Sequence, residues 1–384
     1  MKKILFGAGI LGIGATNEYG KENIAYFVDS NPLKIGKIIE GIPVISFEQL
    51  RDIYNDYEII VTTKYSEQIE KDLYEAGIFN YSHYCEDKKS RFYKTHELIV
   101  NPYAESRELD SFWEDSEEAK QIKINEVNLQ VERLYNRKKL SIEYIEIETI
   151  NRCNGSCSFC PINKNIDSRK FAKMSNELFC KIIDELSEMN YEKKIALYSN
   201  NEPFLDKDIL WKHWYVRTKL PNADMFLFTN GTLLTLDKFV EVMKYLDELV
   251  IDNYSQDLEL IKPCKEIVNY CESHTEYKDK VTIVLRKTDE ILSSRGGDAP
   301  NKREFLKSYE NAKCTHPFKR MVIRPTGEVS LCCNDPLGKY TLGNLNVSTI
   351  QEIWNGEHYK NIREALYNGR GNIEQCKYCD MFTV

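Results

Sequence analysis

The stretch that most constrains this chain is Tyr144–Asn163, YIEIETINRCNGSCSFCPIN. Apolar residues alternate through Tyr144, Ile145, Ile147 and Ile150 and run directly into Cys153, Cys157 and Cys160, a C-x3-C-x2-C spacing with Phe159 just before the third thiol. Such a pattern predicts a buried strand, so the three cysteines belong to a loop at its C-terminal end. Three thiolates on one short loop can hold three irons of a 4Fe–4S cluster and leave the fourth without a protein ligand. An open position distinguishes a reactive metal centre from a closed structural one. A three-cysteine zinc knuckle, or three free thiols, is the alternative use of the same residues.

Beyond that loop the chain repeats a βα pattern. A helix is predicted over Ser175–Met189 (Leu178, Ile182, Ile183, Leu186), then strands at Lys194–Tyr198, Asp224–Thr229, Glu248–Asp252 and Val281–Arg286, with a helix at Leu236–Tyr245. Repeated units of this length close into a full or partial barrel with its chemistry at the C-terminal strand ends. Polar residues fall at those ends: Asn200-Asn201-Glu202, Thr229-Asn230-Gly231, Asp252-Asn253-Tyr254 and Arg286. The loop after Arg286 carries Ser294-Arg295-Gly296-Gly297, which reads either as a contact to a polar substrate or as a turn. Cys180, Cys264 and Cys271 lie inside helical patterns and read as small buried apolar residues; Cys85 has no assignment.

A second thiol set follows. Cys314, Cys332, Cys376 and Cys379 are spaced C-x17-C-x43-C-x2-C, with a hairpin predicted over Met321–Cys332 and a helix from Ser348 to about Tyr367. A C-x2-C pair plus two distant cysteines can close a tetrahedral site, for zinc or for a cluster. Cys333 adjoins a ligand, but its neighbour Cys332 has the expected spacing from the Gly327 turn.

The N-terminus places Gly7-Ala8-Gly9-Ile10-Leu11-Gly12 between a predicted strand, Lys3–Phe6, and a helix. A second strand, Ile24–Val28, ends at Asp29, 17 residues beyond Gly12. Glycines in that context, with an acid to meet a ribose hydroxyl, are the pattern of a dinucleotide or nucleotide site. Further strands near Pro43–Ser46, Glu58–Thr63 and Asn80–Tyr84 alternate with helical stretches such as Ser66–Ala76, which argues for a parallel sheet covered by helices. The basic, apolar start MKKILFGAGILGIGA carries this glycine pattern and no convincing cleavage site, so it is not read as a signal peptide. Residues 88–140 are rich in charge and lack turn-bounded strands; Ile122, Val127, Val131 and Leu134 predict one bridging helix, about Ser116 to Arg137.

The first thiol loop, with its aromatic, resembles the signature of the radical SAM family. That resemblance implies that the open iron takes the amino and carboxylate groups of S-adenosylmethionine (SAM), whose reductive cleavage yields a 5′-deoxyadenosyl radical that abstracts hydrogen from substrate. It implies SAM-binding roles for Phe159, Asn201, Glu202, Thr229, Asn230 and Arg286, with Glu202 on the ammonium group and Arg286 on the carboxylate. The family's Gly-Gly-Glu is Asn-Asn-Glu here, and Asn is the next most tolerant residue for positive φ. Residues 314–384, with Cys-Cys-Asn-Asp, Leu-Gly-Asn and Glu-Ile-Trp segments, resemble the SPASM/twitch region. A full SPASM region carries seven cysteines and two clusters. With five residues after Cys379, one auxiliary 4Fe–4S cluster is expected, as electron acceptor or relay. The segment FVDSNPLKIGKIIEGIPVIS resembles the nucleotide-binding domain of bacterial sugar O-acyltransferases.

The expected architecture is therefore α/β: a Rossmann-like nucleotide-binding domain (1–87), a helical connector (88–140), a partial (β/α)6 radical SAM barrel (141–313) and a small twitch-like cluster domain (314–384). The resemblance to the radical SAM alcohol dehydrogenases of aminoglycoside synthesis implies oxidation of an alcohol on an amino sugar or nucleotide-sugar, with Arg286, Asp252 and Asp335 as catalytic candidates. It also implies an external electron donor such as flavodoxin or ferredoxin. The rivals are a radical SAM peptide or protein maturase and, outside enzymes, a metal-binding electron-transfer scaffold. A net charge of −8 argues against a nucleic-acid partner. No apolar run approaches the ~20 residues of a membrane span. Twelve cysteines without an export pattern point to metal ligation in a reducing cytoplasm.

Overall fold

The computed structural model describes residues 2–63, 67–84, 97–104 and 117–382. The chain divides into two compact units, Met1–Lys89 with Asn136–Lys138, and Ser90–Tyr135 with Lys139–Val384.

In the first unit, strands β1 (Lys3–Phe6), β2 (Ile24–Val28), β3 (Ile38–Ile39), β4 (Ile42–Ile45), β5 (Glu58–Val61) and β6 (Tyr81–His83) lie in the order β3-β4-β2-β1-β5-β6. All neighbours are parallel except the β3–β4 pair. Apolar residues cover both faces of β1: Ile4 and Phe6 join one core cluster and Leu5 the other, as in a sheet covered on both sides. The order reverses beside β1, so a crevice opens at the C-terminal ends of β1 and β5. There Gly7 has φ +125°, and a Cβ on Gly12 would stand 2.0 Å from the Gly7 carbonyl oxygen, so helix and strand meet only through glycine. Asp29 does not present a free carboxylate at this turn. Its Oδ2 accepts from the Ala8 amide (3.0 Å) and from Lys34 Nζ (2.9 Å), and its Oδ1 accepts from the Asn31 amide (2.9 Å). Burial raises the pKa, but these donors outweigh it and hold the carboxyl below its usual range.

The second unit is built on one nine-stranded sheet. Its strands are β7 (Ile99–Val100), β8 (Tyr144–Ile147), β9 (Lys194–Ala196), β10 (Asp224–Thr229), β11 (Glu248–Tyr254), β12 (Val281–Arg286), β13 (Arg320–Ile323), β14 (Glu328–Ser330) and β15 (Thr341–Asn344), in the order β15-β14-β13-β8-β9-β10-β11-β12-β7. From β13 to β7 every pair is parallel; β14 and β15 complete an antiparallel edge. The expected barrel core supplies five of these strands. The C-terminal region lends β13, which runs beside β8, and the connector lends β7, which runs beside β12. A strand of two residues has no periodicity to read, which is why 88–140 gave only its helix, found at Glu117–Tyr135. The helix Asn176–Glu188, capped by Ser175, buries Phe179, Ile182, Ile183 and Leu186 against the sheet.

The single helix expected from Ser348 to Tyr367 is two, Ile350–Trp354 and Glu357–Tyr367. Gly356 caps the second in an extended conformation, and a Cβ there would lie 2.7 Å from the Glu352 carbonyl oxygen. Cys264 and Cys271 are buried in the main core and Cys180 is half-buried, while Cys85 lies outside the described residues. Among the described residues no helix is long and apolar enough to cross a membrane.

Candidate active site

Buried Ile145 and Ile147 anchor β8, and the chain leaves its C-terminal end into the first thiol loop. That loop has little regular structure, so side chains hold its backbone. Arg169 donates to Glu148 (3.0 Å), to Asp167 (3.0 Å) and to the carbonyls of Asn151 (2.9 Å) and Asn200 (3.1 Å). Asn163 Nδ2 donates to the carbonyls of Cys157 (3.1 Å) and Cys160 (2.9 Å). Cys153 Sγ accepts from the Gly155 amide at 3.3 Å and from Asn230 Nδ2 at 3.9 Å. Burial pushes the Cys153 thiol up to about 11 and the Cys157 thiol to about 12. Buried thiols of this kind ionise when a metal compensates their charge, and amide donors aimed at sulfur suit a ligand that must stay a thiolate.

All three thiols line a cavity of about 430 Å³ at the C-terminal ends of the parallel strands. Phe159, Asn201, Glu202, Thr229, Asn230, Asp252 and Arg286 line it too. Two of them also make close contacts within the protein. Glu202 is 1% exposed; its Oε1 accepts from Thr229 Oγ1 (2.8 Å) and the Phe204 amide (3.1 Å), and its Oε2 accepts from the Asn230 amide (2.8 Å). The carboxylate thus ties two strand ends together. Arg286 meets Asp252 and Glu290, each at 3.3 Å, and burial raises the Asp252 pKa even beside that guanidinium. Asn201 Nδ2 is buried and has no partner among the described residues. Asp335 is not at this cavity: its carboxylate accepts from Ser330 Oγ (3.1 Å) and from the amides of Lys339 (2.8 Å) and Tyr340 (3.0 Å), which closes the loop after Cys332.

Cys314, Cys332, Cys376 and Cys379 surround a separate small enclosed cavity, with His316, Asn334, Arg370 and Met381 completing its wall. Cys332 Sγ accepts from the Asn334 amide at 3.3 Å. Burial, then repulsion from neighbouring thiols, pushes Cys332 and Cys376 well above their usual range. Four thiols facing one void are the donor set of a closed cluster site, while among the described residues no group of three or more such side chains is placed to hold a single metal ion. Cys333 turns away, into the larger cavity.

Residues 147–292 match the model of the radical SAM superfamily, and residues 314–380 match the iron–sulfur cluster-binding domain SPASM. The chain carries a radical SAM domain and a SPASM domain. These imply a SAM-binding 4Fe–4S cluster and an auxiliary 4Fe–4S cluster. An S-adenosyl-L-methionine-dependent 2-deoxy-scyllo-inosamine dehydrogenase of Niallia circulans is 27% identical over 241 residues, 62% of this chain and 93% of the relative. The crystal structure of BtrN in complex with AdoMet and 2-DOIA shares the fold with a TM-score of 0.55 at 24% identity, over 64% of this chain and 95% of that one.

The radical SAM cavity also contains residues that sequence reasoning left unassigned. Glu146, on β8, points into it and pairs with Arg320 of β13 at 2.6 Å while accepting from Ser199 Oγ at 2.7 Å. Arg320 in turn lies over the Tyr144 ring, 4.1 Å from its centroid, and donates to Cys333 Sγ at 3.3 Å. The signal was an acid inside an otherwise apolar strand. Arg295, one of two readings for its loop, reaches the cavity and meets Asn200 Oδ1 at 3.4 Å. At the SPASM site, buried Arg370 donates to the carbonyls of Lys313 (3.0 Å), Cys379 (2.5 Å) and Met381 (2.6 Å), and so holds the chain around the last thiol.

Proposed function

We propose that the protein is a radical SAM oxidoreductase that oxidises an alcohol on a sugar-like substrate, an amino sugar or a nucleotide-linked sugar. When bound, the first cluster and SAM would supply the radical that removes the carbon-bound hydrogen, and the auxiliary cluster would take the remaining electron as the hydroxyl proton is released. The observation that carries the reading is the shared cavity: the C-x3-C-x2-C thiols sit on its wall and a polar lining faces them. The likeness to the 2-deoxy-scyllo-inosamine dehydrogenase supports an aminocyclitol-like alcohol over a peptide.

In this proposal Cys153, Cys157 and Cys160 hold the SAM-binding cluster, and Cys314, Cys332, Cys376 and Cys379 hold the auxiliary one. Asn201 donates its unpartnered Nδ2 to SAM, and Glu202 acts by fixing Thr229 and Asn230. Phe159, packed 5.9 Å from Tyr254, walls the adenosyl side. Arg295, Arg320 and Glu146 bind the substrate hydroxyls or amine from the opposite side. The paired Asp252 and Arg286 give the cavity a fixed polar edge that orients the target C–H bond. A nucleotide at the N-terminal glycine turn is a further part of the proposal, because a Cβ on Gly9 would meet nothing within 4 Å, which leaves room for a phosphate.

The test is anaerobic reconstitution with SAM and dithionite, offering carbinol-deuterated 2-deoxy-scyllo-inosamine, nucleotide-sugars and short peptides. Deuterium in 5′-deoxyadenosine with a sugar-like alcohol is the expected result. Transfer from a peptide and from no sugar would move the protein to the maturases; no 5′-deoxyadenosine at all would leave a scaffold.

A further inference from the structure

The turn that carries Arg295 into the radical SAM cavity is held by residues flanking the SPASM thiols. Arg295, Gly296 and Gly297 form a run of left-handed residues with φ of 50°, 63° and 90°. A non-glycine residue keeps such a conformation only where its surroundings impose it. The turn packs directly on its neighbours, since a Cβ on Gly296 would stand 2.7 Å from Gln375 Cγ and 2.9 Å from the Asn334 carbonyl oxygen.

Four anchors hold it. Gln375 Nε2 donates both to Asp298 Oδ2 (3.1 Å) and to the Asn334 carbonyl (3.0 Å). Ser294 Oγ donates to the Tyr378 carbonyl (2.7 Å), and the Ser294 amide donates to Asp380 Oδ1 (2.7 Å). Asn334 lies two residues after Cys332, Gln375 directly before Cys376, and Tyr378 and Asp380 on either side of Cys379. These anchors have little regular structure of their own. Glu374–Lys377 is a single helical turn, too short to persist without tertiary support.

We propose that the SPASM metal site positions Arg295. Metal held by Cys332, Cys376 and Cys379 fixes Asn334, Gln375, Tyr378 and Asp380, and these fix the turn that places the guanidinium in the cavity. Gln375 and Ser294 are positioning residues, and the SPASM site governs substrate placement in addition to any redox role. The inference rests on the proposed function only in taking Arg295 as a substrate contact.

The test is hydrogen–deuterium exchange of the full-length, anaerobically reconstituted chain, without substrate. The amides of Gly297, Asp298 and Ala299 donate within the turn, to Ser294, Arg295 and Ser294 carbonyls. In Cys376→Ser, and in Gln375→Ala with its iron content verified as wild type, these amides should exchange at least tenfold faster, while those of residues 153–160 stay as they were. Unchanged protection of the turn in either folded variant overturns the proposal; should Cys376→Ser not fold, Cys332→Ser takes its place as the variant that loses the metal. A second readout uses 2-deoxy-scyllo-inosamine: Gln375→Ala should raise KM at least fivefold with kcat within twofold, a split that a general loss of folded protein would not produce. An unchanged KM overturns the proposal. If the wild type turns over no sugar, the substrate reading fails and the exchange result still judges the coupling.

Discussion

The burial of His213 makes the fold sensitive to acid. Its ring is fully buried on the helix Ile209–Lys219: Nδ1 meets the Ile209 carbonyl at 2.8 Å, and Nε2 is buried with no partner among the described residues. Burial, only partly opposed by that carbonyl, lowers the pKa to about 4 from 6.5. Because the folded pKa lies below the unfolded one, the unfolded chain binds more protons between these values. The stabilising contribution is therefore complete above pH 6.5 and is lost as the pH falls toward 4. Linkage gives a loss of about 2 kcal/mol between pH 7.5 and 5.0, approaching ~3 kcal/mol below pH 4. His213→Phe, which fills similar volume without a titrating group, should lack this slope. Urea unfolding of the full chain at pH 7.5 and 5.0 measures it, followed by the fluorescence of Trp211 and Trp214 on the same helix. Carboxylates titrate in both proteins, so the wild-type minus variant difference isolates the imidazole. If that difference changes by less than about 0.5 kcal/mol between the two pH values, the ring is not buried neutral as described.

Serine at either member of the adjacent Cys332–Cys333 pair should give opposite results. Cys332→Ser should lower iron from about eight per chain toward four, while Cys333→Ser leaves the count unchanged; iron and sulfide analysis after anaerobic reconstitution decides it. Arg295→Lys removes the planar guanidinium and should lower product formed per 5′-deoxyadenosine at least tenfold (~1.4 kcal/mol), with SAM cleavage retained; equal coupling in the two proteins would exclude a substrate contact. Gly12→Ala places a Cβ 2.0 Å from the Gly7 carbonyl oxygen, so calorimetry should show the transition of the N-terminal unit shifted downward or lost.

What was legible in the sequence was whatever a short window contains. β2, β10 and β12 have the limits read from their apolar runs, because polar or turn residues bound each run sharply. The two groups of thiols that the fold gathers at separate cavities were legible from spacing, and the spacing from the Gly327 turn singled out Cys332, which lines the smaller cavity, from Cys333, which lines the larger one. A break at one glycine, Gly356, was hidden within a continuous helical period. Glu202 and Asp29 were legible as acids at strand ends, but which donors they accept from depends on residues 27 and 21 positions away. Asp335 failed for the same reason: its neighbours pointed to a cluster loop, and only the fold shows its carboxylate closing that loop.

The Glu146–Arg320 side of the cavity was the least legible part, and the sheet order explains why. Glu146 and Arg320 are 174 positions apart, yet they meet because β13 pairs in parallel with β8, with Arg320 opposite Tyr144 and Val322 opposite Glu146. That pairing ties the first thiol loop to one member of the second set, since β8 leads into Cys153 and β13 leads through its hairpin with β14 to Cys332. Backbone hydrogen bonds of a shared sheet hold two sites in fixed relation better than loops do. Arg320 then touches Glu146 and Cys333, both on the wall of the radical SAM cavity, and Cys333 is joined directly to the SPASM thiol Cys332. A slip of β8 by one residue against β13 would turn Glu146 out of the cavity and break its pairing with Arg320. The two motifs are thus local in sequence, whereas the site between them exists only through a strand register that no single motif encodes.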